Sequence, residues 1–546
     1  MEKLIKSVIF LVIGIALFAV VQDVLTPDPA SAENRKYQIE SISLLEDDTI
    51  DVLFLGTSHP EYGISPMRIY ENTQIRSYNL GTSAQPIECS YFLLKYVFQT
   101  QNPQIVMLDC SGLFNKDYGT AATYSDAWWR GVLDNMPFSS LKWEMAKVYG
   151  EKDFGSGVLS AMFPIIRYHT RWSQLRSSDF KLSFLSKTDS PYYSAGQCLS
   201  NDVVSSLTTI SEANYIANVM VKNSQGWTEY YQNDAVQEQD VEGILYNPTV
   251  SANELAYLLK IQGLCYERGA KLVLIKVPSL YFPQLQSGAW TEIASERAAE
   301  VASQYNIPYY DLMYGATGIV DFNTDTQDGG WHLNFRGAEK VSDALSSILT
   351  EDYHCVGGSN AQFNKMLADY KKTRETAKLS SERNFYNYID CLAEHKDDWN
   401  IFISVSEEYT YKMTEADYDF LQEKLGLQLI AKGEFSNSYM AVIERGSLLH
   451  EELSNRKIEQ TMEVDGHTVR LVSSGWYYVP TVSIKIDGRE YTQSGRGIHF
   501  VVYDNESELV IDNVRFDTYQ ESKPAFRNRG VPVSYLRAYE SAVCFD

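Results

Sequence analysis

Short apolar runs, each ending in a small or polar residue, recur along the first two-thirds of the chain and constrain its fold more than any other feature. Asp51 to Leu55 is the first run and leads into Gly56-Thr57-Ser58-His59. Ile75 to Leu80 follows and ends at Gly81, and a helical pattern over Pro86 to Gln99 leads to a third run, Ile105 to Asp109. Glu254 to Arg268 reads as a helix before the strand Lys271 to Ile275. Ala294 to Tyr305 and the strand Ile307 to Asp311 repeat the unit, and Gly337 to Ile348 closes it. Apolar strands of about five residues alternating with helices call for a mostly parallel sheet covered on both faces. The expected class is α/β with three layers. The stretch from Tyr118 to about Leu245 is less regular and reads as an insertion forming part of the mouth of a site.

The texture changes after Asp352. His354 to Asn360 is a glycine-containing break, and Lys365 to Arg383 reads as a charged helical linker. Beyond it come a strand (Trp399 to Val405), a helix (Thr414 to Leu425) and a strand (Tyr439 to Ile443). Four more strands are expected at His467 to Val472, Val482 to Ile486, Ile498 to Tyr503 and Leu509 to Phe516, with turns at Asp487-Gly488 and Asp504-Asn505. The reading is a leader and stalk over 1–36, a catalytic-looking α/β domain over 37–355, a linker over 356–385 and a smaller α+β domain over 386–546.

Lys3 and Lys6 precede an apolar run from Val8 to Val21, closed by Gln22 and Asp23. The run is slightly short for a full span of roughly 20 residues, a gap that tilt and snorkelling lysines cover. The lysines favour a cytoplasmic N-terminus and an exported remainder. A cleaved signal peptide is the competing reading, because Ala30-Ser31-Ala32 is a small-x-small site before Glu33. Either way the body works outside the cytoplasm. A net charge of -24, from 71 acidic against 47 basic side chains, argues against a general nucleic-acid binder. The seven cysteines are scattered without a CxxC, which excludes a metal knuckle and a dense disulfide framework, and Cys89 and Cys110 read as small core hydrophobes. There is no HExxH and no GxxxxGK[ST] loop, so neither zinc chemistry nor a nucleotide cofactor is expected.

Ser58, after a strand and a glycine, belongs at the carboxyl end of the sheet, where open α/β folds place their ligands. Far along the same domain stands Asp328-Gly329-Gly330-Trp331-His332-Leu333-Asn334, just before the helix that Gly337 opens. If both loops flank one edge, His332 would take the proton from Ser58 as it attacks a carbonyl, and Asp328 would orient the imidazole. Taken alone, a serine after Gly-Thr is more often a turn or helix cap, and a histidine in such a loop is usually structural. His59 cannot readily face its neighbour Ser58 and reads as a pocket or loop residue. Lys276, in Lys276-Val277-Pro278-Ser279, reads as lining the mouth, with an anionic headgroup or phosphate as one ligand and a capping or surface role as the other reading. Trp290 and Trp331 read equally as sugar- or acyl-stacking surfaces and as core.

Leu55-Gly56-Thr57-Ser58-His59 with Tyr78-Asn79-Leu80-Gly81, and the segment from Asp328 ending His332-Leu333-Asn334-Phe335-Arg336-Gly337, resemble the SGNH/GDSL hydrolase superfamily. Within it the chain is most similar to the membrane-tethered DltD-like and alginate-acetylation-like branch of bacterial envelope proteins. The resemblance spans roughly residues 48–350. It implies a three-layer SGNH-like fold, Ser58 as nucleophile, His332 as base, an aspartate before that histidine as third member, and the Ser58 and Gly81 amides as oxyanion donors. It also implies a mechanism without metal. Three departures stand out. Gly-Thr-Ser replaces the usual Gly-Asp-Ser. Asp328 lies four residues before His332 where the family has three, which leaves Asp325 as an alternative. The Gly-x-Asn-Asp block is absent, and Asn115, which follows the third strand, reads as a loop cap or as a weak substitute.

Ile486 to Tyr491, Gly495 to Asp504 and Phe516 to Thr518 resemble the ILEI/FAM3-type domain, with its other half, around Trp399 to Val405 and Ser438 to Gly446, placed first. The order implies a circular permutation, and the resemblance implies saccharide recognition, with scaffolding as the rival role. Arg496 and Asp504 are equally plausible as structural turn residues. The function these resemblances imply is serine-dependent O-acyl ester hydrolysis or O-acyl transfer on cell-surface polysaccharide or another acylated envelope polymer. A membrane-bound O-acyltransferase (MBOAT-type) protein is the implied acyl-supplying partner. The alternative is a non-catalytic envelope protein that keeps the SGNH fold and binds glycan or a membrane partner.

Overall fold

The computed structural model describes residues 2–26, 38–39, 41–118, 122–152, 157–175, 180, 193–194, 197–198, 219–223, 226–230, 250–279, 289–313, 319–321, 325–326, 332–431, 435–506 and 508–527. The chain divides into two compact units, Met1–Tyr370 and Lys371–Asp546, and the division falls inside the helix Ala361–Ser381.

The first unit is built on five strands, β1 (Val52–Gly56), β2 (Ser77–Gly81), β3 (Ile105–Asp109), β4 (Lys271–Lys276) and β5 (Tyr309–Asp311). All neighbours are parallel, in the order β2-β1-β3-β4-β5. Every residue of β1, β2 and β3 is buried, as a sheet covered on both sides requires. On one face Val52, Phe54, Ile105, Met107, Val273 and Ile275 pack with Ile69, Val341 and Leu345 of the helices Pro66–Thr73 and Phe335–Ser347. The alternate strand residues face the other way, where the helices Ile87–Val97 and Ala252–Glu267 lie against the sheet and each other. The α/β class expected from the alternating runs is the class observed.

Two short helices, Ser58–Gly63 and Pro66–Thr73, lie where no helix was expected. The first contains Pro60 within its first turn, where a missing N–H costs nothing. Ser65 caps the second through the Arg68 amide, with Pro66 starting it. Neither is long enough to show helical periodicity. Within the insertion, the described residues include the helices Ala122–Leu133, Ser140–Gly150, Gly157–Met162 and Ile165–Tyr168. The strand Gln197–Cys198 lies against the helix Ser58–Gly63, so the insertion does reach the surroundings of Ser58.

The second unit is a ten-stranded mixed sheet. Its central strand Trp399–Glu407 runs antiparallel to Ser438–Glu444 and Gly497–Asp504, and at its end parallel to His467–Gly475. Tyr388, Ile389 and Leu392 of the helix Phe385–Glu394, with Tyr418 and Leu421 of Glu415–Leu425, pack on Ile401, Ile403, Phe500 and Phe516. Four strands escaped the sequence reading, Ser447–Ser454, Ile458–Val464, Arg489–Glu490 and Ala525–Arg527. The first two carry two glutamates each and the last two are only two or three residues long, so none stands out by apolar content. Arg496 is a structural residue here, with its guanidinium bound to Asp517 at 2.9 and 3.2 Å.

Candidate active site

A sheet of order 2-1-3-4-5 reverses its direction of growth between its first and third strands, and ligands bind beyond the carboxyl ends at that point. β1 ends there in Gly56-Thr57-Ser58 and β3 in Asp109-Cys110-Ser111. Gly56 is obligatory, because its φ is +141° and a Cβ would come within 2.6 Å of the Asp109 Cβ. Thr57 caps the following helix by accepting from the His59 amide. Ser58 is therefore the first helical residue. Its amide has no carbonyl one turn back to serve and has no partner among the described residues.

The last block is brought to the same place by its own local rules. Thr326 and Leu333 form an antiparallel bridge just before that block's helix. Asn334 caps the helix Phe335–Ser347 by accepting from the Arg336 and Gly337 amides, and its side chain donates to the Thr326 carbonyl at 3.2 Å. A Cβ on Gly337 would lie 2.5 Å from the Asp325 carbonyl, so only glycine permits that approach. That helix is tied to the first block where the Ser65 amide donates to Ser342 Oγ at 2.7 Å and Arg68 forks onto Asp343 at 2.7 and 3.2 Å.

These ties bring Ser58 and His332 together across 274 positions of sequence, with Ser58 Oγ 2.7 Å from His332 Nε2. Both side chains are partly exposed. For Nε2 to accept the hydroxyl proton, the imidazole must carry its own proton on Nδ1. The Tyr62 ring lies 5.2 Å from the His332 ring and flanks it.

Asp325 is buried. Its Oδ2 receives Lys340 Nζ at 2.6 Å and the Asp321 amide at 2.7 Å, which makes it a fastener of the loop's start. Asp328 and Trp331 lie outside the described residues, as does the side chain of Trp290, whose backbone is in the helix Ala289–Gln304. The Asn115 side chain also lies outside them.

Three expectations need correction. The Gly81 amide donates to Asn79 Oδ1 at 3.0 Å, so in this structure it is turned into its own strand and does not point at a substrate oxygen. Gly81 matters sterically instead, because a Cβ there would meet the Glu61 amide nitrogen at 2.7 Å and the Thr57 carbonyl at 2.8 Å. Lys276 does not line a mouth. It is 3% exposed and donates to Ser279 Oγ at 3.1 Å, at the buried end of β4. His59 is 4% exposed, and its Nδ1 lies 3.0 Å from Ser111 Oγ.

His59 and Lys276 instead belong to a buried polar network that the sequence reading missed. Asp109 is its centre, accepting from Thr57 Oγ1 at 3.1 Å, the Ser111 amide at 3.3 Å, Ser111 Oγ at 3.4 Å and the Val277 amide at 3.4 Å. Burial pushes the Asp109 carboxyl up, and the Lys276 charge opposes that rise. Burial first, then Lys276 and His332, hold the His59 imidazole well below its ordinary value, so it is neutral. With the Ser111 hydroxyl directed at Asp109, His59 must donate from Nδ1. A polar residue closing an otherwise apolar strand was the signal available for Asp109, and Ser111 two residues on strengthened it.

No protein-family model matches the chain, and no curated protein matches it significantly. Solved structures similar to it include a putative acylhydrolase from Bacteroides fragilis, at 12% identity over 62% of this chain and 98% of that one, with a TM-score of 0.25. A GDSL-like lipase from Bacteroides thetaiotaomicron is similar at 10% identity over 58% of this chain and 98% of that one, with a TM-score of 0.26.

Proposed function

We propose that the protein is an exported serine-dependent O-acyl esterase or O-acyltransferase of SGNH type, acting on cell-surface polysaccharide or another envelope polymer. The observation that carries this reading is the 2.7 Å contact between Ser58 Oγ and His332 Nε2 at the sheet's switch point. Ser58 Oγ attacks the acyl carbonyl carbon while its proton passes to Nε2. The oxyanion forms beside the Ser58 amide, which has no partner among the described residues. Collapse breaks the bond to the leaving oxygen, which takes the proton from His332. Water or a sugar hydroxyl then attacks the acyl-serine as His332 accepts its proton, and collapse breaks the acyl bond to Ser58 Oγ, which takes that proton back. Asp328 is the proposed orienting carboxylate, with Asp325, whose Oδ2 receives Lys340 and the Asp321 amide, as the alternative.

An MBOAT-type membrane partner would supply acyl groups in the transferase form. The second unit would position the polymer, a role supported by the exposed aromatic side chains of Phe435, Trp476, Tyr477 and Tyr478. The occupied Gly81 amide favours a second reading, a non-catalytic envelope glycan-binding or scaffold protein on the same fold.

Turnover of a soluble aryl acetate by the full chain, measured beside Ser58→Ala, separates the two. Turnover that disappears in the variant supports the enzyme, and equal background rates in both favour the scaffold. Acetate released without any acylated sugar in the presence of an oligosaccharide acceptor favours the esterase form.

A further inference from the structure

The helix Glu2–Leu25 is the one described helix long and apolar enough to cross a membrane, and its stretch Lys3–Leu25 is unburied over the most apolar window. Its last turns nevertheless touch the body of the first unit. The Phe18 ring meets Phe163 edge-on at 5.8 Å, and Phe163 meets Phe138 at 5.9 Å. Arg171 donates to the carbonyls of Val24, Leu25 and Thr26 at 3.3 to 3.4 Å, closing the helix's C-terminal end with a cation.

These contacts set a depth. The hydrocarbon layer is about 30 Å thick and needs about 20 helical residues. The 24 residues of this helix amount to about 36 Å. A span that stopped short of Phe18 would keep only about 24 Å, which is too short. Phe18 therefore lies within the bilayer when the helix spans it, about 5 Å of helix inside the end of the apolar run at Val21. Phe163 and Phe138, packed on Phe18, are carried to the same level.

The surface around that contact has the composition such a position requires. Phe138 and Trp172 are each 71% exposed, Leu159 60% and Ile166 46%. From Gly157 to Leu175 the described chain holds two arginines and no acidic residue, although its net charge is -24; Arg167 is paired with Asp134 and Arg171 stands at the helix end. Apolar and aromatic side chains beside arginines suit the headgroup boundary of an anionic bilayer.

We infer that Phe138, Leu159, Ile166 and Trp172 form a second membrane contact, seated in the interfacial layer of an anionic lipid bilayer beside the exit of the N-terminal helix. The inference rests on that helix being embedded, which is part of the proposed reading, and is independent of the ester chemistry. It would fix the first unit against the membrane in one orientation, where a single helix and stalk would leave it free to swing.

The test uses the full chain in proteoliposomes containing phosphatidylglycerol, with the Trp172 emission obtained by subtracting the Trp172→Phe variant. The expected result is quenching of that emission by lipids brominated on their acyl chains and shielding from aqueous iodide. Retention on carbonate washing together with iodide-accessible, bromolipid-insensitive emission would overturn the surface alone. Release by carbonate would overturn the span and the surface together. Shielding that depends on protein-to-lipid ratio would assign the patch to a second copy and likewise overturn the proposal.

Discussion

Two serine–histidine pairs lie side by side at the end of the first unit's sheet, their imidazole rings 5.8 Å apart, and they differ in almost everything except residue type. Ser58 and His332 meet at 2.7 Å, partly exposed, on two loops brought together from opposite ends of the domain. His59 and Ser111 meet at 3.0 Å, nearly closed off from solvent and joined to Asp109. In the proposed chemistry, exposure is what would give the first pair access to a substrate carbonyl. Enclosure makes the second a fixed support, holding the carboxyl ends of β1 and β3 at the spacing the first pair needs. The same two side chains can perform chemistry or hold geometry, and their surroundings decide which.

The largest expected effect breaks the exposed pair. His332→Ala should lower kcat for an acetyl ester by about 10⁶-fold while leaving the melting temperature near that of the wild type. Asp328→Asn should cost about 10⁴-fold in the same assay, the scale of losing the orienting carboxylate. Asp325→Asn should act differently, lowering stability by about 1–3 kcal/mol in denaturant titration with a smaller loss of kcat. A larger kinetic loss at Asp325 than at Asp328 would reverse the assignment.

Breaking the enclosed pair should show first in stability. Asp109→Ala leaves Thr57, Ser111 and the Val277 amide without their buried acceptor and should cost about 1–3 kcal/mol, read from the urea midpoint. The pH response sharpens the contrast. His59 is held neutral in the folded state, whereas the unfolded chain binds a proton below about pH 6.5, so His59 makes stability fall as pH drops through that value. Asp109 has the opposite sign, because its raised folded value favours the protonated form and adds stability as pH falls. His59→Gln should therefore lose less melting temperature than wild type between about pH 7 and 5.5. An unchanged slope would remove His59 from this role. The smallest effect is expected at Asp343→Ala, about 1 kcal/mol or less, since its pair with Arg68 is partly exposed.

The sheet was legible because short apolar runs closed by a small or polar residue, Val52 to Leu55 before Gly56 and Ile105 to Leu108 before Asp109, leave few alternatives to a covered parallel strand. Ser58 and His332 were legible by their positions beyond such strands and before the helix that Asn334 caps. The direction of the Gly81 amide was not, because it depends on where one amide side chain, Asn79, points. Burial of His59 and Lys276 also escaped. Polar side chains are assigned to surfaces by default, and only the folded chain shows that Ser111 meets His59 and Ser279 meets Lys276, which makes their enclosure tolerable. The helices Ser58–Gly63 and Pro66–Thr73 are too short to display a period, and tertiary contacts hold them.

The central claim is that His332 activates Ser58 as a nucleophile, and covalent capture tests it most directly. The full-length wild type, Ser58→Ala and His332→Ala proteins would be treated with a fluorophosphonate and the modified peptide identified by mass spectrometry. The expected result is one phosphonylated residue, Ser58, in the wild type, with no adduct in Ser58→Ala and a strongly slowed reaction in His332→Ala. Equal labelling of all three proteins, or an adduct on another serine, would contradict it.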